Sequence, residues 1–140
     1  MRLICNTNTL TDACLNVQRC IPSKAVLPHL EGILIKTISD SKIEMTGFDL
    51  ELGITTTLGV RVERGGSAVL NAKMLCDILR HIPYDTVEID CGENNICSVK
   101  SGETEFTLGS LNPDEYPDMP ELKDTIPFAI SQSVLRDMVK

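Results

Sequence analysis

Three stretches of this chain align without a gap: "LICNTNTLTDA" from Leu3, "AVLNAKMLCDI" from Ala68 and "FAISQSVLRDM" from Phe128. Each opens with three small or apolar residues, as a short strand does. Next stands Asn6, Asn71 or Ser131, a residue type that accepts hydrogen bonds from the free N–H groups opening a helix. Four positions later comes a leucine (Leu10, Leu75, Leu135), then an aspartate two further on (Asp12, Asp77, Asp137), an acid expected to sit favourably in the helix dipole. The copies lie 65 and 60 residues apart. A recurrence at near-constant spacing marks repeated structural units, each contributing a strand and the helix after it.

The helical period runs on past each match. Leu10, Ala13, Cys14, Val17 and Ile21 recur every three or four residues, as do Leu75, Ile78, Leu79 and Ile82. Such stripes predict amphipathic helices, and Pro22 and Pro83 stand where each should stop. Between the helices the chain reads as strands: "GILIKTI", "KIEMTGF", "LELGITTTLGVRV", "TVEIDC", "ICSVK" and "TEFTL". Turn-forming segments separate them at 39–41, 63–66, 92–95 and 101–102. Closely spaced antiparallel strands with one helix per sixty or so residues make an α+β fold, its helices packed on one sheet face.

This repeat also explains residues 110–121, where prolines and carboxylates crowd together. The third copy follows directly, so the stretch reads as a joint between two folded units and not as an acidic site. Prolines stiffen such a joint and cannot enter a sheet ladder. The expected boundaries are 1–121 for one domain and 122–140 for the start of a second, repeated one.

With 140 residues, 42% hydrophobic and 24% charged, the chain is long enough for one well-formed core. No apolar run approaches the length of a membrane span, and the start turns polar after five residues, unlike a secretory leader. That points to the cytoplasm, where the six cysteines are expected as buried reduced thiols. They form no C-x-x-C pair and the two histidines stand apart, so no metal or other cofactor is expected. The net charge of −7 is uneven. The helical segments 7–30, 72–83 and 133–140 carry six basic and three acidic residues, against seven and seventeen in the remainder. The helices are mildly basic and the rest is acidic.

Four segments together, "LPHLEGILIKT" (27–37), "IEMTGFDLELGI" (43–54), "AKMLCDILRHIP" (72–83) and "FTLGSLNPDEYPDMPEL" (106–122), resemble the N-terminal third of the bacterial DNA polymerase III beta subunit family, the ring-shaped sliding clamps. The "TG-x-DLE" segment and the "EYP" linker carry most of the specificity, and the likeness spans essentially all 140 residues. The resemblance implies a DNA-clamp fold of repeated β-α-β-β-β units, two to a domain and three domains to a chain. Two chains would close head to tail into a homodimeric ring with helices lining the hole. Small positive increments per helix would add up around such a lumen, attracting duplex DNA without reading its sequence. The resemblance also implies no catalysis: the ring tethers DNA polymerase III by topology, keeping it near its primer end.

Carried over by position, the resemblance implies DNA-facing roles for Lys24, Lys73, Arg80 and, in the third copy, Arg136. It places Met74, Asp77, Ile78, Thr104, Phe106 and Leu108 at the contact with the partner subunit, where Glu103 and Glu105 replace the more basic residues of many relatives. The polymerase and clamp-loader cleft belongs to later domains, and a chain ending at Lys140 inside a helix reads as a fragment. Two other readings start from the same residues. One is a carboxylate enzyme holding a metal at Asp49 and Glu51, whose spacing would put both acids on one strand face. The other is an acidic module that binds a basic protein and never touches DNA.

Overall fold

The computed structural model describes residues 1–140. Nine strands and three helices follow in the order β1 (Arg2–Asn6), α1 (Thr7–Gln18), β2 (Gly32–Ser39), β3 (Lys42–Phe48), β4 (Gly53–Gly59), β5 (Arg61–Arg64), β6 (Ser67–Asn71), α2 (Ala72–Arg80), β7 (Thr86–Cys91), β8 (Ile96–Ser101), β9 (Thr104–Leu111) and α3 (Gln132–Met138). All neighbouring strands are antiparallel, in the order β4-β3-β2-β6-β9-β8-β7-β1-β5. The two outermost strands, β4 and β5, are one chain segment interrupted only at Val60. Its backbone stays bonded across the break, Val60 N–H to Ser41 O at 2.9 Å and Val62 N–H to Asp40 O at 3.0 Å. The single long strand expected over "LELGITTTLGVRV" is thus a bent pair that lets the sheet wrap around.

Helices α1 and α2 begin as the repeat predicts. Asn6 Oδ1 accepts from Thr9 N–H and Asn71 Oδ1 from Met74 N–H, both at 3.0 Å, so each asparagine caps its helix. Both helices end before the prolines. Arg19 and His81 close them, and the His81 ring Nδ1 lies 2.6 Å from Asp77 O. Asp12 and Asp77 fall beyond the first turn, so the dipole argument for them does not hold. The third copy departs further. Ser131 bonds Ser133 instead of the helix backbone, and Phe128–Ile130 form no strand, having no neighbour to pair with.

The two helices pack side by side against one face of the sheet. Leu10, Cys14 and Val17 of α1 and Leu75, Cys76 and Leu79 of α2 meet Leu3, Ile33, Ile35, Ile43, Met45, Leu70 and Ile89 in one core. Gly47 shows how close that packing is. A Cβ there would lie 2.7 Å from Val17 Cγ1 and 2.9 Å from Val17 O, so the glycine of "TG-x-DLE" lets α1 sit directly on β3.

A second, smaller cluster occupies the opposite sheet face: Leu30, Phe48, Val69 and Tyr116. Strand β6 is therefore covered on both sides, Leu70 toward the helices and Val69 toward Tyr116. The linker is thus more than an exposed connection. Tyr116 is buried, Met119 packs beside it, and Glu115 Oε2 stands 3.4 Å from the His29 ring. Its acids do stay in solvent, whereas its one aromatic ring anchors the chain.

Cysteine chemistry differs from the expectation as well. Cys5, Cys14, Cys20 and Cys76 are buried free thiols, but Cys91 and Cys97 are joined as a disulfide across the β7–β8 hairpin. Register is the reason. The pair lies opposite in the ladder, symmetric about the "GENN" turn, a relation invisible to a search for closely spaced ligands.

Candidate nucleic-acid interface and subunit edge

The basic side chains lie on the exposed face of α2 and in the segment that follows α1, which itself carries none. Lys24, in the loop after α1, and Lys73 and Arg80, in the first and last turns of α2, are all exposed. None of them forms an ion pair. The arginines of the strands behave oppositely. Arg2 pairs with Glu63 and Glu88 at 3.1 and 2.9 Å, Arg61 with Glu63 at 3.0 Å, and Arg64 with Asp90 at 2.6 Å. The sheet's arginines are neutralised by neighbouring acids, whereas Lys36 on β2 and Lys42 on β3 stay unpaired, as do the cations beside the helices. The helix surface can therefore attract phosphates even though the whole chain is acidic.

Packing brings a further basic residue to this face. Arg19, one position past α1, lines a shallow groove with Leu15, Gln18, Ile21 and Arg80. Residues sixty apart meet there because α1 and α2 lie side by side, and no local pattern in the sequence signals it. Lys73 borders a separate hollow with Gln18, Pro22, Ser23 and Glu31, next to the loop that holds Lys24. Arg136 is exposed on α3, free of ion pairs, and is not brought to either hollow.

The residues assigned to a subunit contact fall on α2 and β9. Met74 is 51% exposed, Asp77 and Thr104 are exposed, and Ile78 and Phe106 are half-buried against the core. Leu108 is 3% exposed, a core side chain that supports the strand from within and is not itself presented to a partner. What unites the set is an unpaired edge. Strand β9 pairs with β8 along its length, but with β6 only at Ser110 and Leu111, because the chain leaves β6 at Asn71 to start α2. Residues 104–109 thus have no neighbour on that side. Ser110 N–H bonds Asn95 O at 2.8 Å, so by alternation Phe106 and Leu108 bond β8, while Glu105, Thr107 and Gly109 turn their N–H and C=O outward. An open row of donors and acceptors beside an exposed methionine is a template for another strand.

Asp49 and Glu51 do not make a metal site. They lie in the loop between β3 and β4, not on a strand face, and Asp49 Oδ1 accepts the N–H groups of Leu52 at 2.6 Å and Glu51 at 2.9 Å. Those bonds, Leu52's first, hold the carboxyl below its ordinary range. Its lone pairs fold the loop back on itself and keep Leu50 at φ 77°, with 54% of its surface exposed. Nowhere does the structure bring together three His, Cys, Asp or Glu side chains as a metal would require. No helix is long and apolar enough to cross a membrane.

Comparison with known proteins agrees with this architecture. Residues 1–120 match the family described as DNA polymerase III beta subunit, N-terminal domain. The beta sliding clamp of Halalkalibacterium halodurans is 31% identical over 134 residues, 89% of this chain and 35% of its own length. That of Synechococcus elongatus is also 31% identical, over 96% of this chain and 36% of its length. The crystal structure of the DNA polymerase sliding clamp from Bacillus subtilis superposes with a TM-score of 0.94 at 27% identity, covering 99% of this chain and 38% of the other. The chain thus spans little more than a third of the relatives it matches. With its two-helix face, wrapped antiparallel sheet and matched first 120 residues, the chain belongs to the DNA polymerase III beta subunit family and corresponds to the N-terminal domain.

Proposed function

We propose that residues 1–121 are the first domain, and 122–140 the opening of a second, of a sliding clamp that encircles duplex DNA and tethers a replicative polymerase. The observation that carries this reading is the division of charge: Lys24, Lys73, Arg80 and Arg19 stand unpaired on the helix face while the arginines of the sheet are neutralised. Arg136 would add to the same wall from the second domain. Contacts of this kind go to phosphates, so they hold the duplex without choosing a sequence and leave the ring free to slide. No step of this work makes or breaks a covalent bond, so the protein acts as a non-catalytic processivity subunit in the cytoplasm. Closure would come from a homodimer, with Met74, Asp77, Ile78, Thr104 and Phe106, and the outward backbone of Glu105, Thr107 and Gly109, meeting the partner along the open β9 edge that Leu108 supports from the core. The polymerase and the loader would bind through later domains.

Retention on circular DNA tests this. The full-length protein, loaded on a nicked circle, should stay bound and should be released when the circle is cut; equal retention on both forms would overturn the reading. Lys24→Glu, Lys73→Glu and Arg80→Glu combined should shorten retention by roughly tenfold or more at 0.1 M salt. The melting temperature should fall by less than about 4 °C, because these side chains are exposed and unpaired. An acidic adaptor for basic proteins would show no retention on either DNA.

A further inference from the structure

We propose that Cys91 and Cys97 are a reversible thiol–disulfide site that sets the order of the open β9 edge, and through it the strength of the subunit contact; this rests on the reading of that edge given above. Position in the ladder comes first. Gly92 N–H bonds Ile96 O at 3.1 Å, closing the turn, so the next pair, Cys91 and Cys97, is a non-hydrogen-bonded one. Side chains approach most closely at such pairs, and here the Cα atoms are 4.0 Å apart.

The bond joins β7 to the residue of β8 that carries the edge strand. Cys97 lies opposite Leu108, and by the alternation that starts at Ser110 this is a hydrogen-bonded pair. On either side of Leu108, Thr107 and Gly109 present their N–H and C=O groups to the unpaired edge. With the bond closed, β8 cannot shear or fray from β7, and β9 keeps a fixed inner neighbour. With it open, only backbone bonds and the packing of two small thiols resist fraying from the exposed turn at Glu93–Ile96.

Cys91 is 5% exposed and Cys97 is fully buried, so reagents reach them when that turn opens. A cleft lined by Met1, Arg64, Gly92, Glu93 and Asn95 meets the hairpin at Cys91 and admits a small molecule. The oxidant is a small-molecule disulfide. One cysteine thiolate attacks a sulfur of the reagent, forms a mixed disulfide and expels the first thiolate. The second cysteine thiolate then attacks the protein sulfur of that mixed disulfide and expels the other. Two electrons and two protons pass from the protein to the reagent, which ends as two thiols.

The experiment equilibrates the full-length protein in buffers of reduced and oxidised dithiothreitol, maps the linkage by peptide mass, and measures dimer dissociation by sedimentation at falling concentration. The expected result is a Cys91–Cys97 link in the oxidised sample and a dimer at least roughly fivefold tighter than in the reduced one. Cys97→Ala should show the reduced affinity in both buffers. Absence of the link, or a link with unchanged dissociation, would overturn the proposal. Should no dimer form in either buffer, the subunit reading fails separately. Amide exchange along residues 104–109 then decides: slower exchange in the oxidised form upholds the site, and equal exchange rejects it.

Discussion

At the scale of single residues, two groups turn their surroundings into measurable pH behaviour. The Asp49 carboxyl is held low by Leu52 and Glu51 N–H groups. Its folded-state value lies below the unfolded one, so its contribution to stability is present above pH of about 4 and is lost on acidification. Asp49→Asn should remove part of the acid dependence of the melting temperature while leaving the alkaline side unchanged, read by calorimetry between pH 3 and 7. Tyr116 behaves in reverse. Burial pushes its phenol up to about 12, so its contribution is complete below pH of about 10 and disappears as pH rises toward 12. Tyr116→Phe should flatten that alkaline loss at small cost near neutrality, since the hydroxyl reaches Thr46 O only at 3.5 Å. Tyr116→Ala should instead cost about 3 kcal/mol by emptying the cluster of Leu30, Phe48 and Val69, checked by urea unfolding.

Among the elements, β9 is the one whose two sides have different fates. Its inner side is bonded to β8, and its outer side is open from residue 104 to 109. A proline tolerates an edge strand where its missing N–H would have pointed outward. Thr107→Pro should therefore leave the domain folded and weaken the full-length dimer by roughly tenfold or more, while Phe106→Pro, which removes a bond to β8, should unfold the hairpin. Gel filtration and far-UV circular dichroism separate the two. A fully dimeric Thr107→Pro protein would mean that subunits do not pair along this strand. Helix α2 shows a related division, with apolar residues closing the core behind it and the unpaired Lys73 and Arg80 left in front.

On the scale of the whole molecule, the first 121 residues hold all 34 buried positions and the rest hold none. Leu122, Ile126, Phe128, Val134, Leu135 and Met138 lie exposed, an apolar segment and helix with no sheet beneath them among these 140 residues. Removing residues 122–140 should leave the melting temperature unchanged to within about 2 °C, because no buried area is lost. It should also abolish binding of a hydrophobic dye, read by fluorescence. A large fall in stability on truncation would show that the tail packs on the first domain.

Much of this was legible along the chain because it depends on neighbours close in sequence. Caps at Asn6 and Asn71, the apolar stripes of α1 and α2, most strands and the repeat that joins them follow from local periodicity and turn chemistry. Tertiary structure decided the rest, because each remaining feature needs residues far apart to meet. Arg19 faces Arg80 only through helix packing, and β9 has an open side only because β6 ends where α2 begins. Cys91 joins Cys97 only in the register of one hairpin, and Tyr116 leaves an otherwise solvent-loving linker for a hollow built by three other segments. Local chemistry names which elements form. Which of their faces meet, and which are left bare, is settled by the packing of the whole.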